Sequence, residues 1–290
     1  MAQQLLDVFL DALLDTAKTA PFLYAAFLLI EFLEHHQAGR LAGGLKKLGP
    51  FGPAGGALLG AVPQCGFSVA ATNLYAGRLV TLGTLLAVYI STSDEAVIIL
   101  LSDPENLKTN LGIMWKIVVV KILIALTVGI LIDAVLRVAR KKRRADNTDH
   151  FKEICTHCGC EGHSVFLSAL RHTGEIALFL FAVNFLLNSA ITFAGENNIS
   201  KILMTDSVFQ PLLAAVVGFI PNCAASAIIT QLYIDGALSF GSVIAGLVTS
   251  AGVGLAMLFK ANKHLKENFA ILGILYATAA VSGIALELFF

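Results

Sequence analysis

The feature that most constrains this 290-residue chain is that its two halves repeat each other. When the sequence is shifted by 158 residues, Pro63-Gln64-Cys65-Gly66 falls on Pro221-Asn222-Cys223-Ala224. The flanking matches include polar residues and prolines as well as apolar ones: Phe51, Pro53, Gly60, Ser68, Thr72, Tyr75 and Gly83 fall on Phe209, Pro211, Gly218, Ser226, Thr230, Tyr233 and Gly241. Apolar composition alone does not produce such matches. The chain is therefore a duplication, an arrangement typical of secondary transporters and channels.

Composition indicates that the duplicated unit lies in a membrane. The chain is 57% hydrophobic and 14% charged, whereas soluble domains carry about a quarter charged residues. About 20 apolar residues cross a bilayer core, and the apolar stretches are 22–33, 51–72, 79–101, 111–132, 164–194, 208–234, 237–259 and 269–290. We expect an all-α polytopic membrane protein with the lipid bilayer as its partner. Net charge is zero, so nucleic acid is not an expected partner, and the acidic first residues do not resemble a cleavable signal peptide.

The charges of the loops predict how the chain threads the membrane. Basic loops lie on the cytoplasmic side, and the basic loops are 137–152, 260–266 and 40–47, whereas 102–110 and 195–207 are acidic or nearly neutral. The first repeat then starts outside and the second starts inside, so the repeats are inverted and both termini lie outside an inner (plasma) membrane. This divides the chain into an amphipathic N-terminal helix (1–18), repeat 1 (19–137), a cytoplasmic loop (138–163) and repeat 2 (164–290). The alternative for 1–18 is an extension of the first span.

This topology makes a helical hairpin of each of the segments 50–77 and 208–235. Each segment must begin and end on one side, and legs such as 51–62 and 66–77 have about 12 residues, or roughly 18 Å. Such legs reach just past the middle of the membrane. We therefore expect two re-entrant hairpins that enter from opposite sides and meet near the midplane. The alternative is short helices that span the membrane fully.

The two hairpin tips carry the first candidate site. A proline ends the first leg, and the second leg then begins at Cys65 or Cys223, where free backbone N–H groups favour a thiolate. The amides of Gln64 and Asn222 stand beside these thiols. Further along each second leg, one helical face carries a matching hydroxyl stripe, which is Ser68 and Thr72 in repeat 1 and Ser226 and Thr230 in repeat 2. We interpret the tips and stripes as a substrate pathway; the alternative for the stripes is close helix packing.

Ionisable residues inside spans are the second group of candidates. Asp94 and Glu95 lie within the apolar stretch 79–101, where repeat 2 has Gly252 and Val253. This pair suits a coupling-ion or proton site, or hard-oxygen ligands to a divalent cation; the alternative is a position near the outer headgroups. Weaker candidates are Glu31 and Glu175, and three further residues are expected near span ends, with side chains that snorkel to the interface: Lys116, Lys121 and Asp133.

The loop between the repeats carries the remaining cysteines. Three thiols and two imidazoles occur within nine residues, as Cys155, His157, Cys158, Cys160 and His163. In a reducing compartment this spacing favours metal ligation over disulfides. We expect a zinc-type tetrahedral site that is structural or that delivers or senses metal; the alternative is a variable loop without metal.

The Pro-Gln-Cys-Gly-Phe-Ser stretch (63–68), the Ser-Thr-Ser-Asp-Glu stretch (91–95), the second Pro-Asn-Cys (221–223) and the Cys/His loop resemble the ten-transmembrane heavy-metal exporter family. Its members are also labelled arsenic efflux proteins or manganese transporters. The resemblance covers nearly the whole chain and implies metal or metalloid efflux. It leaves the ion open, because manganese prefers oxygen and nitrogen ligands whereas arsenic(III) prefers thiolates.

The leading hypothesis is therefore a gradient-driven exporter of a metal or metalloid ion, such as manganese, another divalent cation or arsenic(III), with its site at the paired hairpin tips. It is not an enzyme and requires no cofactor, and the sequence has no nucleotide-binding Gly-x-x-x-x-Gly-Lys-Ser/Thr run. A homodimer is left open. The alternatives are an anion or oxyanion permease or channel, because helix N-termini attract anions, and a membrane thiol oxidoreductase that uses Cys65 and Cys223.

Overall fold

The computed structural model describes residues 51–62, 66–101, 107–141 and 209–289, together with single positions between 9 and 28 and between 166 and 189. In the continuous segments the chain is helical and without strands, and the helices fall into two sets of five. The first set is α1 (Gly52–Gly60), α2 (Gly66–Ala76), α3 (Leu82–Ser91), α4 (Asp94–Leu101) and α5 (Leu107–Lys141). The second set is α6 (Gln210–Gly218), α7 (Cys223–Ile234), α8 (Phe240–Thr249), α9 (Val253–Ala261) and α10 (Leu265–Phe289).

The same local signals set the helix boundaries in both halves. A proline stands in the first turn of α1 and of α6, where the missing N–H costs nothing. Thr81 caps α3 and Ser239 caps α8, each accepting a hydrogen bond from the backbone N–H three residues later at 3.1 Å. The duplication seen in the sequence is therefore present in the helices and in their caps.

Each half is built around a central helix. In the first half α3 packs between α1 and α5, and in the second half α8 packs between α6 and α10. Close approach depends on glycines in the outer helices: a Cβ on Gly129 of α5 would lie 2.8 Å from the side chain of Pro53, and a Cβ on Gly283 of α10 would lie 2.8 Å from that of Pro211. Small residues permit this spacing in membrane helices.

The two halves contact each other reciprocally. Helix α2 of the first half packs on α9 of the second, and α7 of the second half packs on α4 of the first. The central helices α3 and α8 also touch. Because equivalent helices exchange equivalent contacts, the seam between the halves is built twice from the same elements.

The stretches 79–101 and 237–259, which were expected to be continuous spans, are each broken into two helices. Thr92 leaves the helical conformation (φ −57°, ψ 127°) between α3 and α4. In the second half Gly252 adopts φ 53° and ψ −143° between α8 and α9. Glycine reaches this conformation readily because it has no Cβ, whereas other residues rarely adopt it. We call these two segments, residues 91–93 and 249–252, the helix breaks.

The constant offset of 158 residues fails in the last helix of each half. The buried positions Ile117, Ala125 and Gly129 of α5 have the same surroundings as Ile271, Ala279 and Gly283 of α10, an offset of 154. The difference of four residues is about one helical turn, so a one-turn deletion preserves the buried face. By this correspondence the position of Lys121 is taken by Leu275 in the second half.

Three helical runs in the described segments are long and apolar enough to cross a membrane, by length and composition: Lys108–Val138, Phe240–Ala261 and Leu265–Phe289. The first and last expose large apolar side chains, including Trp115, Leu131 and Val281, whereas Phe240–Ala261 is almost entirely buried. Helices α5 and α10 therefore face the lipid, and the broken helix α8–α9 lies in the core.

The remaining described positions include Tyr24, Leu28 and Phe179, which pack beside the seam of α2 and α9. The positions described between 9 and 28 are helical, and the ring of Phe9 packs edge-on against Phe181 at 5.3 Å between centroids. The N-terminal segment thus contacts the segment around residue 181. The interfacial placement expected for 1–18 and the boundaries of the four predicted parts of the chain stay predictions.

Candidate functional site

The predicted hairpin tips are only partly described. Gln64 and Cys65 lie outside the described residues, as does Pro63. In the second half, Asn222 is buried and directly precedes Cys223, which begins α7 and whose side chain is not described. Helices α1 and α2 match the predicted legs 51–62 and 66–77 closely, so a helix precedes the first tip and another follows it.

The hydroxyl stripe of α2 lies in the seam between the halves. Thr72 is fully buried, and its hydroxyl donates to the Ser68 carbonyl at 2.6 Å and lies 2.5 Å from the hydroxyl of Tyr89. Tyr89 in turn donates to the carbonyl of Gly254 on α9 at 3.0 Å. A Cβ on Gly254 would meet the Cβ of Ser68 at 2.8 Å. The stripe therefore holds α2 against α9, whether or not it also lines a pathway.

The matching stripe of α7 is buried in the same way but has different partners. Ser226 and Thr230 are buried, and the Thr230 hydroxyl donates to the Ser226 carbonyl at 2.8 Å. Repeat 2 has Leu247 at the position of Tyr89, so the hydroxyl bridge of the first half has no counterpart there.

Polar residues concentrate at the first helix break. Ser91, Thr92 and Ser93 are almost completely buried, and their hydroxyls donate to backbone carbonyls at 2.8, 2.7 and 3.2 Å. Asp94 and Glu95 are the first two residues of α4, although their side chains are not described. A break leaves backbone N–H and C=O groups without helical partners. These acidic residues therefore come directly after a segment whose polar backbone groups are buried in the core.

Lys121 was expected near a span end with its side chain at the interface, and this expectation is wrong. It is fully buried. Its ammonium donates to the carbonyl of Thr92 at the first helix break and, at 2.8 Å, to the carbonyl of Leu247 near the second. The amide of Ala251 bonds to Thr249 instead of continuing the helix, so the Leu247 carbonyl is free to accept from Lys121. We call this arrangement the central crossing.

The sequence carried the signal for Lys121. It stands at the middle of the apolar stretch 111–132, and an ionisable residue at mid-span is a functional candidate. Asp133 was also expected to snorkel and does not: it is buried and accepts from the Thr81 hydroxyl at 2.7 Å and from the Gly83 N–H at 3.0 Å, which caps α3. Lys116 is exposed on α5.

A second charged cluster lies where α2 ends and α10 begins. Arg78 forms a bidentate pair with Glu267 at 2.9 and 3.0 Å, and the Tyr75 hydroxyl donates to the same carboxylate. The hydrogen bonds that Arg78 donates to the Glu267 carboxylate raise the pKa of its guanidinium above the ordinary value. Arg78 adopts φ 59°, and Gly236, its equivalent in the second half, adopts φ 75°. The bidentate pair therefore holds an arginine where the helix end favours glycine.

The remaining candidates are either exposed or outside the described residues. The Glu175 side chain is exposed and pairs with Arg171 at 3.4 Å, and Glu31 lies outside the described residues. The Cys/His loop, with Cys155, His157, Cys158, Cys160 and His163, also lies outside them. In the part of the chain that is described, no group of three histidine, cysteine or acidic residues is placed to hold a metal ion.

Comparison with known proteins gives one match. No curated protein and no solved structure matches the chain. The family described as "Putative, 10TM heavy-metal exporter" matches residues 3–191 and again residues 164–290. That description is of a transporter, which is not a class of enzyme. Together with the apolar lipid-facing helices, these matches show that the chain is a multi-pass membrane protein that belongs to this heavy-metal exporter family.

Proposed function

We propose that the chain is a gradient-driven exporter that carries a metal or metalloid ion out of the cytoplasm across the inner membrane. The observation that carries the proposal is the pair of helix breaks. Non-helical backbone within a membrane protein is tolerated where it is buried in protein or lines a cavity, and paired broken helices at a repeat interface are the usual site of secondary transporters. We place the ion's path between the breaks and the two hairpin tips.

The contacts of one loop support inverted repeats. Asp133, near the end of α5, bonds to Thr81, and Glu267, at the start of α10, bonds to Arg78. Thr81 and Arg78 belong to the same short connection, so α5 ends where α10 begins. These contacts support opposite directions for the equivalent helices of the two halves, which the inverted topology and its re-entrant hairpins require.

Charge supports the orientation. Basic residues occur close in sequence to these contacts: Arg78 itself, Arg137 after Asp133, and Lys260, Lys263 and Lys266 around the start of α10. By the positive-inside rule this end is cytoplasmic. The two ends of the chain then lie outside, and a reporter domain fused after Phe290 should be active only on the outer side of the membrane.

The side chains at the tips and after the first helix break would decide which ion is bound. The thiols of Cys65 and Cys223 suit arsenic(III) or a soft metal, whereas Asp94 and Glu95, with the amides of Gln64 and Asn222, suit manganese or another hard divalent cation. The hydroxyls of Ser68, Thr72, Ser226 and Thr230 would line the path on either side.

The test compares cellular metal content and resistance in cells with the native chain, with Cys65→Ser, with Cys223→Ser and with the double variant. We expect the double variant to lose export of arsenite, or of manganese if that is the cargo. Thr127→Ala is the matched control, because that hydroxyl is exposed on α5 and bonds to its own helix at 2.9 Å. Unchanged metal content and resistance in the double variant would remove the tips from the proposal.

The Cys/His loop is proposed as a separate, zinc-type site on the cytoplasmic side. Four ligands from its three cysteines and two histidines complete a tetrahedral set. Zinc bound to the purified native chain and lost in Cys158→Ser would support this site, and equal zinc content in the two would exclude it.

An oxyanion permease is the second candidate, and the helix that follows the second tip is the observation that favours it. Helix α7 begins at Cys223, and the backbone N–H groups of a helix N-terminus attract anions. The test is competition of transport in membrane vesicles. Inhibition by arsenate or phosphate, and not by divalent cations, would support an anion permease in place of a cation exporter.

A further inference from the structure

The central crossing has the chemistry of a cation site. Helix α3 ends at Ser91 and α8 ends at Thr249, so two helix C-termini, each with a partial negative charge, meet in the buried core. The carbonyls of Thr92 and Leu247 both contact one nitrogen. Unwound carbonyls at half-helix ends are the groups that hold coupling cations in transporters built from repeats.

What fills this place is a tethered cation. Lys121 is the group whose ammonium contacts both carbonyls, and its side chain is fully buried. A buried ammonium is costly unless its donors are matched by acceptors, and here they are matched by backbone oxygens from both halves of the molecule.

The second half shows what this position is without the charge. Leu275 takes the equivalent place on α10, and it is equally buried. The fold therefore accepts an apolar side chain there, so packing alone does not call for lysine at position 121. What the lysine adds to packing is an ammonium that donates to the carbonyls of Thr92 and Leu247.

We propose that the central crossing is a binding site for a small monovalent cation, and that the Lys121 ammonium occupies it as a tethered competitor. A free cation that reaches the same carbonyls must displace the ammonium. This competition would couple cation binding to a movement of α5 against the helix breaks; that last step rests on the proposed transport function, whereas the site itself does not.

The test uses the purified full chain in lipid nanodiscs and measures thermal unfolding, so it needs no knowledge of the cargo. Lys121→Ala removes the tethered cation and leaves room for a free one. We expect this variant to unfold at a lower temperature than the native chain, and to be restabilised in a saturable way by ammonium or methylammonium chloride, with choline chloride at equal ionic strength as the reference. At ten times the dissociation constant the rise should be about 3–6 °C.

Two matched variants separate the site from general effects of salt. Lys121→Leu copies the second half and fills the space, so it should not respond to ammonium. Lys116→Ala removes an exposed lysine of the same helix and should not respond either. A response in these variants equal to that of Lys121→Ala would overturn the proposal, and so would a Lys121→Ala chain that is as stable as the native one and insensitive to all cations.

If Lys121→Ala cannot be recovered folded, extraction is repeated in methylammonium chloride and in choline chloride. Monodisperse protein recovered only in methylammonium supports the cation site, and equal failure in both salts overturns it. If the native chain exports no metal but Lys121→Ala still responds to ammonium, the transport function is removed and the site stands.

Discussion

The seam between α2 and α9 gives the sharpest prediction of stability. Gly254 lies where a Cβ would be 2.8 Å from the Cβ of Ser68 and 3.2 Å from its backbone carbon. Carbon atoms in ordinary contact are about 3.5–4.0 Å apart. Gly254→Ala must therefore separate the two helices by roughly 0.7 Å or distort one of them, and overpacking of this kind costs about 1–3 kcal/mol.

The measurement is thermal unfolding of the purified chain in nanodiscs. At roughly 2–4 °C per kcal/mol, Gly254→Ala should lower the apparent melting temperature by about 2–12 °C. Gly273→Ala is the control: it places the same methyl group on α10, where a Cβ meets no atom within 4 Å. Alanine is the better helix residue by about 0.5–1 kcal/mol, so this control should not lower the melting temperature.

A compensating change tests the cause. Ser68→Gly removes the Cβ that the new methyl group would strike, so Ser68→Gly with Gly254→Ala should unfold at a higher temperature than Gly254→Ala alone. The reasoning is refuted if Gly254→Ala is as stable as Gly273→Ala, or if the double variant recovers none of the loss.

Two further predictions concern the ends of helices and use the same assay. Arg78→Ala and Arg78→Gly both lose the pair with Glu267, but only glycine relieves the positive φ, which costs about 1 kcal/mol for other residues. We therefore expect Arg78→Gly to unfold at a higher temperature than Arg78→Ala. The opposite order would contradict backbone strain at this position. Asp133→Asn weakens a buried cap that serves two donors, and it should lower the free energy of unfolding by about 1 kcal/mol. The Glu287 carboxylate is exposed and accepts from the Ser239 hydroxyl, so Glu287→Gln should lower it by less. Equal losses of stability in the two variants would contradict the role of burial.

The hairpin legs could be predicted from the sequence because their ends carry strong local signals. The predicted legs 51–62 and 66–77 correspond to Gly52–Gly60 and Gly66–Ala76. Proline in the first turn and the proline-cysteine tip set these limits through the backbone of the residues themselves. Such signals need no knowledge of the neighbouring helices.

The helix breaks could not be predicted in this way. Serine and threonine occur within continuous membrane helices, so Ser91-Thr92-Ser93 did not distinguish a break from a span in the apolar stretch 79–101. The freed carbonyl of Thr92 accepts a hydrogen bond from the Lys121 ammonium, 29 residues further along the chain. A break of this kind is stabilised by a contact between helices, and the periodicity of a single stretch does not contain that information.

The two halves repeat where backbones must fit and differ where charge is placed. Prolines, caps and contact glycines occur in both halves, because each half has to pack the same three-helix layer. At three pairs of equivalent positions only the first half has a charged residue: Lys121 corresponds to Leu275, Arg78 to Gly236, and Asp94 to Gly252. In the inverted-repeat transporter that we propose, identical charges in the two halves would make the inward and outward conformations nearly equal in free energy. Charges confined to one half would make them unequal, so a bound ion that compensates one of these charges would shift the balance between the two conformations.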